Sequence, residues 1–421
     1  MSAGTVIVGA SQAGLQLAVS LRELGDDGRI TLVGDEVHAP YQRPPLSKAF
    51  LAGTPDGESL AFRTPAYYAD ARIELVRGDR VTHVALSGGG TDGSGIATTA
   101  SGRALEFDRL ALTVGARPRR LDLPGSDLDG VCYLRDSDDA AQLRSRLTTA
   151  RRVVVVGGGF IGLEVAAVAR AQGKVVTVVE ATERLLARTV APVVSEAFRA
   201  AHARRGTSVL VSAEVSSFGG NAGRVTSVQL ADGTQLPADL VLVAVGIVPR
   251  TELAEQIGLE CDRGIVVDAC ARTSTPTIVA AGDCTVLPHP MTGMGRVRLE
   301  SVQSAVAQAR AAAASLMGRP ESTPTVPWFW SDQGDLKLQI AGLTAGYDDL
   351  VVRGEPDSEK YAVLYYRSGM LIAVDAVNRP RDYMAVRKAL TIGATIPADL
   401  AAADDVALKT LIVEAATSVV R

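Results

Sequence analysis

Cysteine is scarce: the chain has 421 residues and four cysteines. Cys132, Cys261, Cys270 and Cys284 are scattered without a C-x-x-C pair. This argues against a zinc site or a disulfide scaffold and fits a reducing cytoplasm. No apolar run approaches the ~20 residues that a membrane helix needs. The first residues lack a basic stretch, and their apolar run is needed for a strand, so a cytoplasmic location is expected. An excess of positive charge is missing as well. The formal net charge of −4 removes any global argument for nucleic acid or an anionic membrane as partner. Aromatic residues make up only 4%, so any cluster of them carries information.

The remainder reads as an ordinary globular protein, 47% hydrophobic and 21% charged, long enough for two or three domains. Its organising stretch runs from Arg151 to Glu164. Val153 to Val156 form a β-branched run, Gly157, Gly159 and Gly162 supply G-x-G-x-x-G, and Leu163 to Ala169 continue at helical spacing. Strand, turn and helix in that order are what a dinucleotide fingerprint requires: a tight turn, close approach of a pyrophosphate, and helix packed on strand. The helix N-terminus then holds the phosphates. A second run, Val175 to Val179, delivers Glu180 where an acid can accept from a ribose 2′-hydroxyl. A 2′-phosphate would be repelled there, so NADH rather than NADPH is expected.

The N-terminal stretch repeats the pattern. Thr5 to Val8 reads as a strand, followed by Gly9, Ser11, Ala13 and Gly14 and by a helix carrying Leu15, Leu17, Ala18, Leu21 and Leu24. Ser11 stands where the middle glycine usually does, and its hydroxyl could donate to a pyrophosphate. Ile30 to Val33 and Asp35 complete the unit. Arg43-Pro-Pro-Leu-Ser-Lys48 follows, and its prolines predict a rigid extended loop presenting Arg43 and Lys48 to an anionic cofactor. Val81 to Leu86 and Leu105 to Leu112 read as strands around a glycine-rich hairpin over 88–95, and Thr113, Gly115 and Arg117 form a small-residue exit that Gly246 repeats after Leu240 to Val243. A strand near Ile278 places Gly282 and Asp283 at its carboxyl end, where open α/β sheets bind ligands. An alanine-rich helix spans 299–316 and carries Gln303, Gln308 and Arg310.

From about residue 323 the composition shifts. Trp328-Phe-Trp330 holds both tryptophans of the chain, which suggests a stacking or docking surface. Strands near 336–340, 361–366 and 371–374 and helices near 383–390 and 407–416 make a small α+β domain.

Two nucleotide folds, the second inserted in the first, plus a small third domain resemble the glutathione-reductase-like flavoproteins. More narrowly, the chain resembles bacterial FAD-dependent ferredoxin reductases of the putidaredoxin and rubredoxin reductase type. The likeness rests on Arg43 to Lys48, Gly157 to Glu164, Gly282-Asp283, Glu300-Ser301-Val302, Trp328 to Gln333 and Asp375 to Pro380. The fold class is thus α/β, with two Rossmann-like domains and a C-terminal α+β domain. The resemblance implies FAD held by residues 1–112 and 245–322, NADH by 113–244, and a domain 323–421 on the flavin and ferredoxin side with Trp330 beside the flavin. It also implies Ala13, Val81, Arg135, Ser301 and Val302 as FAD contacts.

The expected reaction is hydride transfer from NADH to flavin, then two single-electron steps to a 2Fe-2S ferredoxin serving a haem monooxygenase. Lys48 is the candidate cation for reduced flavin. Glu164, alone on an apolar helix, is expected to face the nicotinamide and to pair with Lys48, since an unpaired carboxylate there is costly. Between Gly14 and Gly115 there is no cysteine. Disulfide reductases need a cysteine pair, and peroxide-reducing or water-forming relatives a single reactive one, so electrons must leave the flavin directly. Cys284 is expected to be a structural thiol. Arg310, Lys337, Arg387, Lys388 and Lys409 are candidates for docking an acidic ferredoxin. Rival readings are an NADH oxidase, the reductase component of an aromatic-ring dioxygenase, and a flavin-bound redox sensor of the apoptosis-inducing-factor type.

Overall fold

A computed structural model describes residues 3–53, 60–87, 93–322 and 326–414. The chain divides into two compact units. The first comprises Met1–Gln42, Glu58–Arg117 and Val248–Pro327. Its centre is a five-stranded sheet in the order Ile278–Ala280, Arg109–Leu112, Thr5–Val8, Ile30–Val33, Ile73–Val76. All four pairings are parallel. Most of these strands are covered on both faces, which is why they read as continuous apolar runs rather than alternating ones. The helix Gln12–Glu23 buries Leu15, Leu17, Ala18 and Leu21 in the same core as Ala305, Ala309, Ala312 and Ala313 of the helix Val302–Leu316. Methyl side chains let those two backbones come close.

Two expectations are corrected in this unit. The run from Leu105 to Leu112 is two strands: Ala104–Phe107 joins an antiparallel sheet with Gly95–Thr99, and Arg109–Leu112 joins the parallel one. Asp108 makes the break, its amide donating to Gly4 O (2.9 Å) and its carboxylate accepting from Gly4 N (3.0 Å). The alanine-rich helix starts at Val302 rather than 299, because the Ser301 hydroxyl caps it by accepting from Ser304 N (3.1 Å). The glycine-rich hairpin falls partly outside the described residues, at 88–92.

The second unit comprises Arg43–Gly57, Pro118–Ile247 and Trp328–Arg421. It holds a parallel sheet in the order Ser208–Leu210, Val175–Val179, Arg152–Val156, Leu240–Val243, Val131–Cys132. It also holds an antiparallel sheet in the order Trp328–Gln333, Leu336–Gly342, Met370–Val377, Lys360–Arg367, Asp349–Glu355. One core joins them, with Val153, Val155, Leu163 and Val165 sharing a cluster with Leu336, Leu338, Val363 and Tyr365. The aromatic segment is therefore a strand. The strand Asp349–Glu355 has little apolar patterning because it lies at the sheet edge and is mostly exposed or half-buried. The helix expected near 407–416 does not form over the described residues. A 3-10 turn, Leu408–Thr410, leads instead to a short strand, Val413–Glu414, paired with Ala394–Thr395. Buried Arg353 collects the carbonyls of Ala401, Ala403, Asp404 and Val406 and fixes the preceding segment in an irregular path. Among the described residues, no helix is long and apolar enough to cross a membrane.

Candidate active site

In the first unit the turn after Thr5–Val8 is shaped by glycine. Gly9 has φ +117°, and a Cβ there would stand 2.2 Å from Thr113 O. At Gly14 it would stand 2.0 Å from Gly9 O. The Thr113 hydroxyl is buried within 2.8 Å of Gly9 O and 3.1 Å of Val8 O, fixing the neighbouring strand exit to the turn. Ser11 caps the following helix with an extended backbone, and Ala13 is buried beneath it. A cavity of about 270 Å³ opens here, lined by Gly9, Val33, Asp35, Val81, Arg250 and Leu253 among others. Asp35 pairs with Arg250 (2.8 Å). Burial opposes ionisation of Asp35, but the hydrogen bond and charge of Arg250 outweigh it and hold the carboxyl below its ordinary range. Apolar residues such as Val33, Val81 and Leu253, an arginine-paired Asp35 and a glycine turn at a helix N-terminus fit the adenosine end of a dinucleotide.

Gly282, at φ +92°, lies close to the same helix, since a Cβ on it would stand 3.3 Å from that of Ala13. Gln308 holds this turn, its Oε1 accepting from Gly282 N (3.2 Å) and Thr285 Oγ1 (2.6 Å). Nothing in the local sequence marks Gln308 for this role, since its two partners lie more than 20 residues away. Asp283 follows, half-buried, while Ser301 and Val302 begin the helix that carries Gln308. Gly115 has φ +64° and Arg117 is exposed, 3.8 Å from Glu252. Cys284 is fully buried, its thiol 3.4 Å from Ala281 O and 3.6 Å from Leu112 O, and burial pushes its pKa up to about 12.

In the second unit the fingerprint glycines divide into two kinds. A Cβ on Gly157 would stand 2.4 Å from Ala244 O, and one on Gly162 2.2 Å from Gly157 O. Gly159, the N-cap of Phe160–Ala171, has nothing within 4 Å of a Cβ. Its smallness serves no protein contact, as expected where a pyrophosphate meets the helix start. Glu180 Oε2 accepts from Gly158 N (2.7 Å), which draws the carboxylate up to the same turn. Gly246 has φ +102°. These residues fit a second dinucleotide.

A polar constellation lies in the same unit, around Glu164, which is 1% exposed. Lys48 Nζ reaches Glu164 Oε2 at 2.7 Å, and the Ser47 hydroxyl donates to the same oxygen. The Ser331 hydroxyl donates to Oε1 at 2.7 Å. Each oxygen thus has a donor, the condition on which a carboxylate so deep is tolerated. The loop that brings Ser47 and Lys48 is a 3-10 turn, Pro44–Ser47, not the extended segment its prolines suggested. Proline's fixed φ suits a first helical turn as well as an extended chain, and Pro44 and Pro45 at N1 and N2 start this one. Arg43 Nη1 donates to Arg135 O (2.7 Å), placing those two arginines together. Trp330 is half-buried with its ring 5.6 Å from that of Trp328, and Arg387 lies 4.9 Å over the Trp328 ring. Lys337, Lys388 and Lys409 are exposed in this unit, whereas Arg310 is exposed in the first. Sequence reading missed Ser47 and Ser331 as partners of Glu164, because nothing local marks either hydroxyl. Among the described residues no group of His, Cys, Asp and Glu is placed to hold a metal ion.

Residues 4–309 match the family described as pyridine nucleotide-disulphide oxidoreductase, and residues 328–412 match reductase C-terminal. Rhodocoxin reductase of Rhodococcus erythropolis is 46% identical over 404 residues, 96% of this chain and 93% of its own. Putidaredoxin reductase of Pseudomonas putida is 40% identical over 415 residues, 97% of each chain. The crystal structure of the ferredoxin reductase for the CYP199A2 system from Rhodopseudomonas palustris has a TM-score of 0.92 at 43% identity, covering 97% of this chain and 99% of that one. A covalent putidaredoxin reductase–putidaredoxin complex gives 0.91 at 39% identity, with 97% of both chains covered.

Proposed function

The chain belongs to the pyridine nucleotide-disulphide oxidoreductase family, and we propose that it is an FAD-dependent reductase carrying electrons from NADH to a 2Fe-2S ferredoxin that serves a haem monooxygenase. FAD, when bound, accepts an electron pair and releases it in single steps. We assign FAD to residues 1–112 and 245–322, NADH to 113–244, and the flavin and ferredoxin side to the C-terminal domain 323–421. Gly9, Ser11 and Gly14 meet the FAD pyrophosphate, Asp35 the adenosine ribose, and Asp283 the sugar-alcohol chain. Thr113, Gly115, Arg117 and Gly246 line the two strand exits beside the cofactors. Arg43 and Arg135 add positive charge. Glu180 accepts from the NADH ribose, and Glu164 orients the nicotinamide while Lys48 and Trp330 stand at the flavin.

The observation that carries this reading is that all four cysteines are free and none stands in a C-x-x-C or C-x4-C pair. Cys132 and Cys284 are buried, and desolvation raises their pKa to about 11 and about 12, so neither supplies a thiolate at neutral pH. No cysteine stands between Gly14 and Gly115. A family built for dithiol chemistry is used here without dithiols, which suits a one-electron acceptor. The unpaired thiols also suit a reducing cytoplasm, where we place the enzyme.

The test is reduction of a 2Fe-2S ferredoxin by NADH with purified protein. Rapid reduction with little oxygen consumption supports the reading, whereas a long-lived charge-transfer complex that passes no electrons to ferredoxin contradicts it. We assign docking to Arg310, Lys337, Arg387, Lys388 and Lys409, whose charges complement an acidic ferredoxin. Reversing several of them should raise the KM for ferredoxin and flatten its salt dependence without changing reduction by NADH; an unchanged salt dependence rejects the assignment.

A further inference from the structure

Glu164 is one end of a longer buried chain. Ser331 Oγ, which donates to Glu164 Oε1, lies 3.2 Å from Gln333 Nε2, and Gln333 Oε1 lies 2.8 Å from His202 Nε2. Ser331 and Gln333 are 0% exposed and His202 is 2% exposed. The carboxamide oxygen can only accept, so His202 Nε2 carries the proton and the whole chain donates in one direction, toward the carboxylate. Burial lowers the imidazole pKa, consistent with a neutral ring held as the Nε2–H tautomer.

Three elements meet in this chain. Glu164 is on Phe160–Ala171, His202 on Pro192–Arg204, and Ser331 and Gln333 on Trp328–Gln333. Just beyond the strand, Asp335 pairs with Arg205 (2.8 Å), so the hairpin tip is tied to the same helix end a second time, at the surface. Side chains alternate along the strand, so Ser331 and Gln333 point inward together while Trp328 and Trp330 take the other face. A carboxamide has no proton to pass on readily, so the chain is a device for orientation rather than for proton transfer.

We propose that His202 and Gln333 are positioning residues: by fixing the register of Trp328–Gln333 they set the orientation of the Glu164 carboxylate and the placement of Trp330. This rests on the assignment of Glu164 to the nicotinamide site. Anaerobic stopped-flow reduction by NADH gives the first readout, and tryptophan emission of the purified protein, which reports only Trp328 and Trp330, gives the second. His202→Leu should slow hydride transfer about tenfold, the scale on which a small misplacement acts, with NADH affinity nearly unchanged, and should shift the emission. His202→Gln, which returns an N–H to about the same place, should restore both. Ser331→Ala deletes one hydroxyl and should reproduce the slow transfer, which decides the matter if the leucine variant does not fold. Wild-type transfer in Ser331→Ala, or a loss in His202→Leu that His202→Gln leaves unrepaired, overturns the proposal. A wild-type protein that NADH does not reduce defeats the functional reading instead, and the emission comparison then still judges the chain.

Discussion

At the scale of single residues, Glu164 and Glu180 show how differently two carboxylates can be used. Glu164 is 1% exposed and depends on Lys48, Ser47 and Ser331. Lys48→Met leaves the carboxylate with hydroxyls alone, and a buried charge stripped of its partner costs about 3 kcal/mol. Urea unfolding should show that loss, and a second change, Glu164→Gln, should recover much of it. Glu164→Ala should slow reduction by NADH at least tenfold, roughly the contribution of one orienting contact; an unchanged rate and affinity in stopped flow would reject its role. Glu180, by contrast, sits by the fingerprint turn at Gly158 and can oppose a 2′-phosphate. Glu180→Ala should narrow the preference for NADH over NADPH by about tenfold, a difference of roughly 1.4 kcal/mol, read from the ratio of kcat/KM values. The placement of both acids was legible from the sequence: one ends a strand after a glycine fingerprint and reaches its turn, the other breaks an apolar helix and pairs with Lys48. The hydroxyl partners were not, because Ser47 and Ser331 approach Glu164 from distant parts of the chain.

At the scale of elements, the strand, turn and helix units were legible because each is specified locally. A fully covered parallel strand must be apolar throughout, and the turn after it must be glycine wherever a carbonyl would lie 2.0 to 2.2 Å from a Cβ, as at Gly14 and Gly162. The antiparallel sheet was less legible: Asp349–Glu355 is an edge strand with charged ends, and Trp328–Gln333 hides its strand character behind an aromatic cluster. The turn Pro44–Ser47 was misread because proline permits both conformations. The fingerprint glycines yield a paired prediction. Gly162→Ala forces a Cβ to 2.2 Å from Gly157 O and should impair folding, lowering Tm by several degrees. Gly159→Ala meets only open space and has φ −83°, so Tm should hold while NADH binding weakens. Equal Tm losses in both variants would show that Gly159 serves the fold rather than the nucleotide.

At the scale of the whole molecule, stability should carry a pH signature set by buried carboxyls. Burial raises the pKa of Asp375 to about 7, although the hydrogen bond from Tyr365 works the other way. Because the folded value exceeds the unfolded one, the stabilisation is complete below about pH 4 and is lost as pH rises through about 7. Asp375→Asn should therefore gain stability relative to the native chain between pH 5 and 8 in paired urea titrations, and a constant difference would place the charge elsewhere. The layout of the molecule was readable as two dinucleotide motifs in order, with sparse cysteines dictating how electrons must leave. Which residues share a compact unit was not: residues 43–57 and 328–421 cluster with 118–247 through contacts far apart in sequence, and no local pattern records that. The most direct test of an FAD-mediated passage from NADH to an iron–sulfur carrier is an anaerobic titration of the yellow protein with NADH, followed by addition of 2Fe-2S ferredoxin. The expected result is loss of the flavin band with one equivalent of NADH and its return as two ferredoxins are reduced, one electron each. A protein that takes up no FAD, or whose bound FAD keeps its absorbance in NADH, would contradict it.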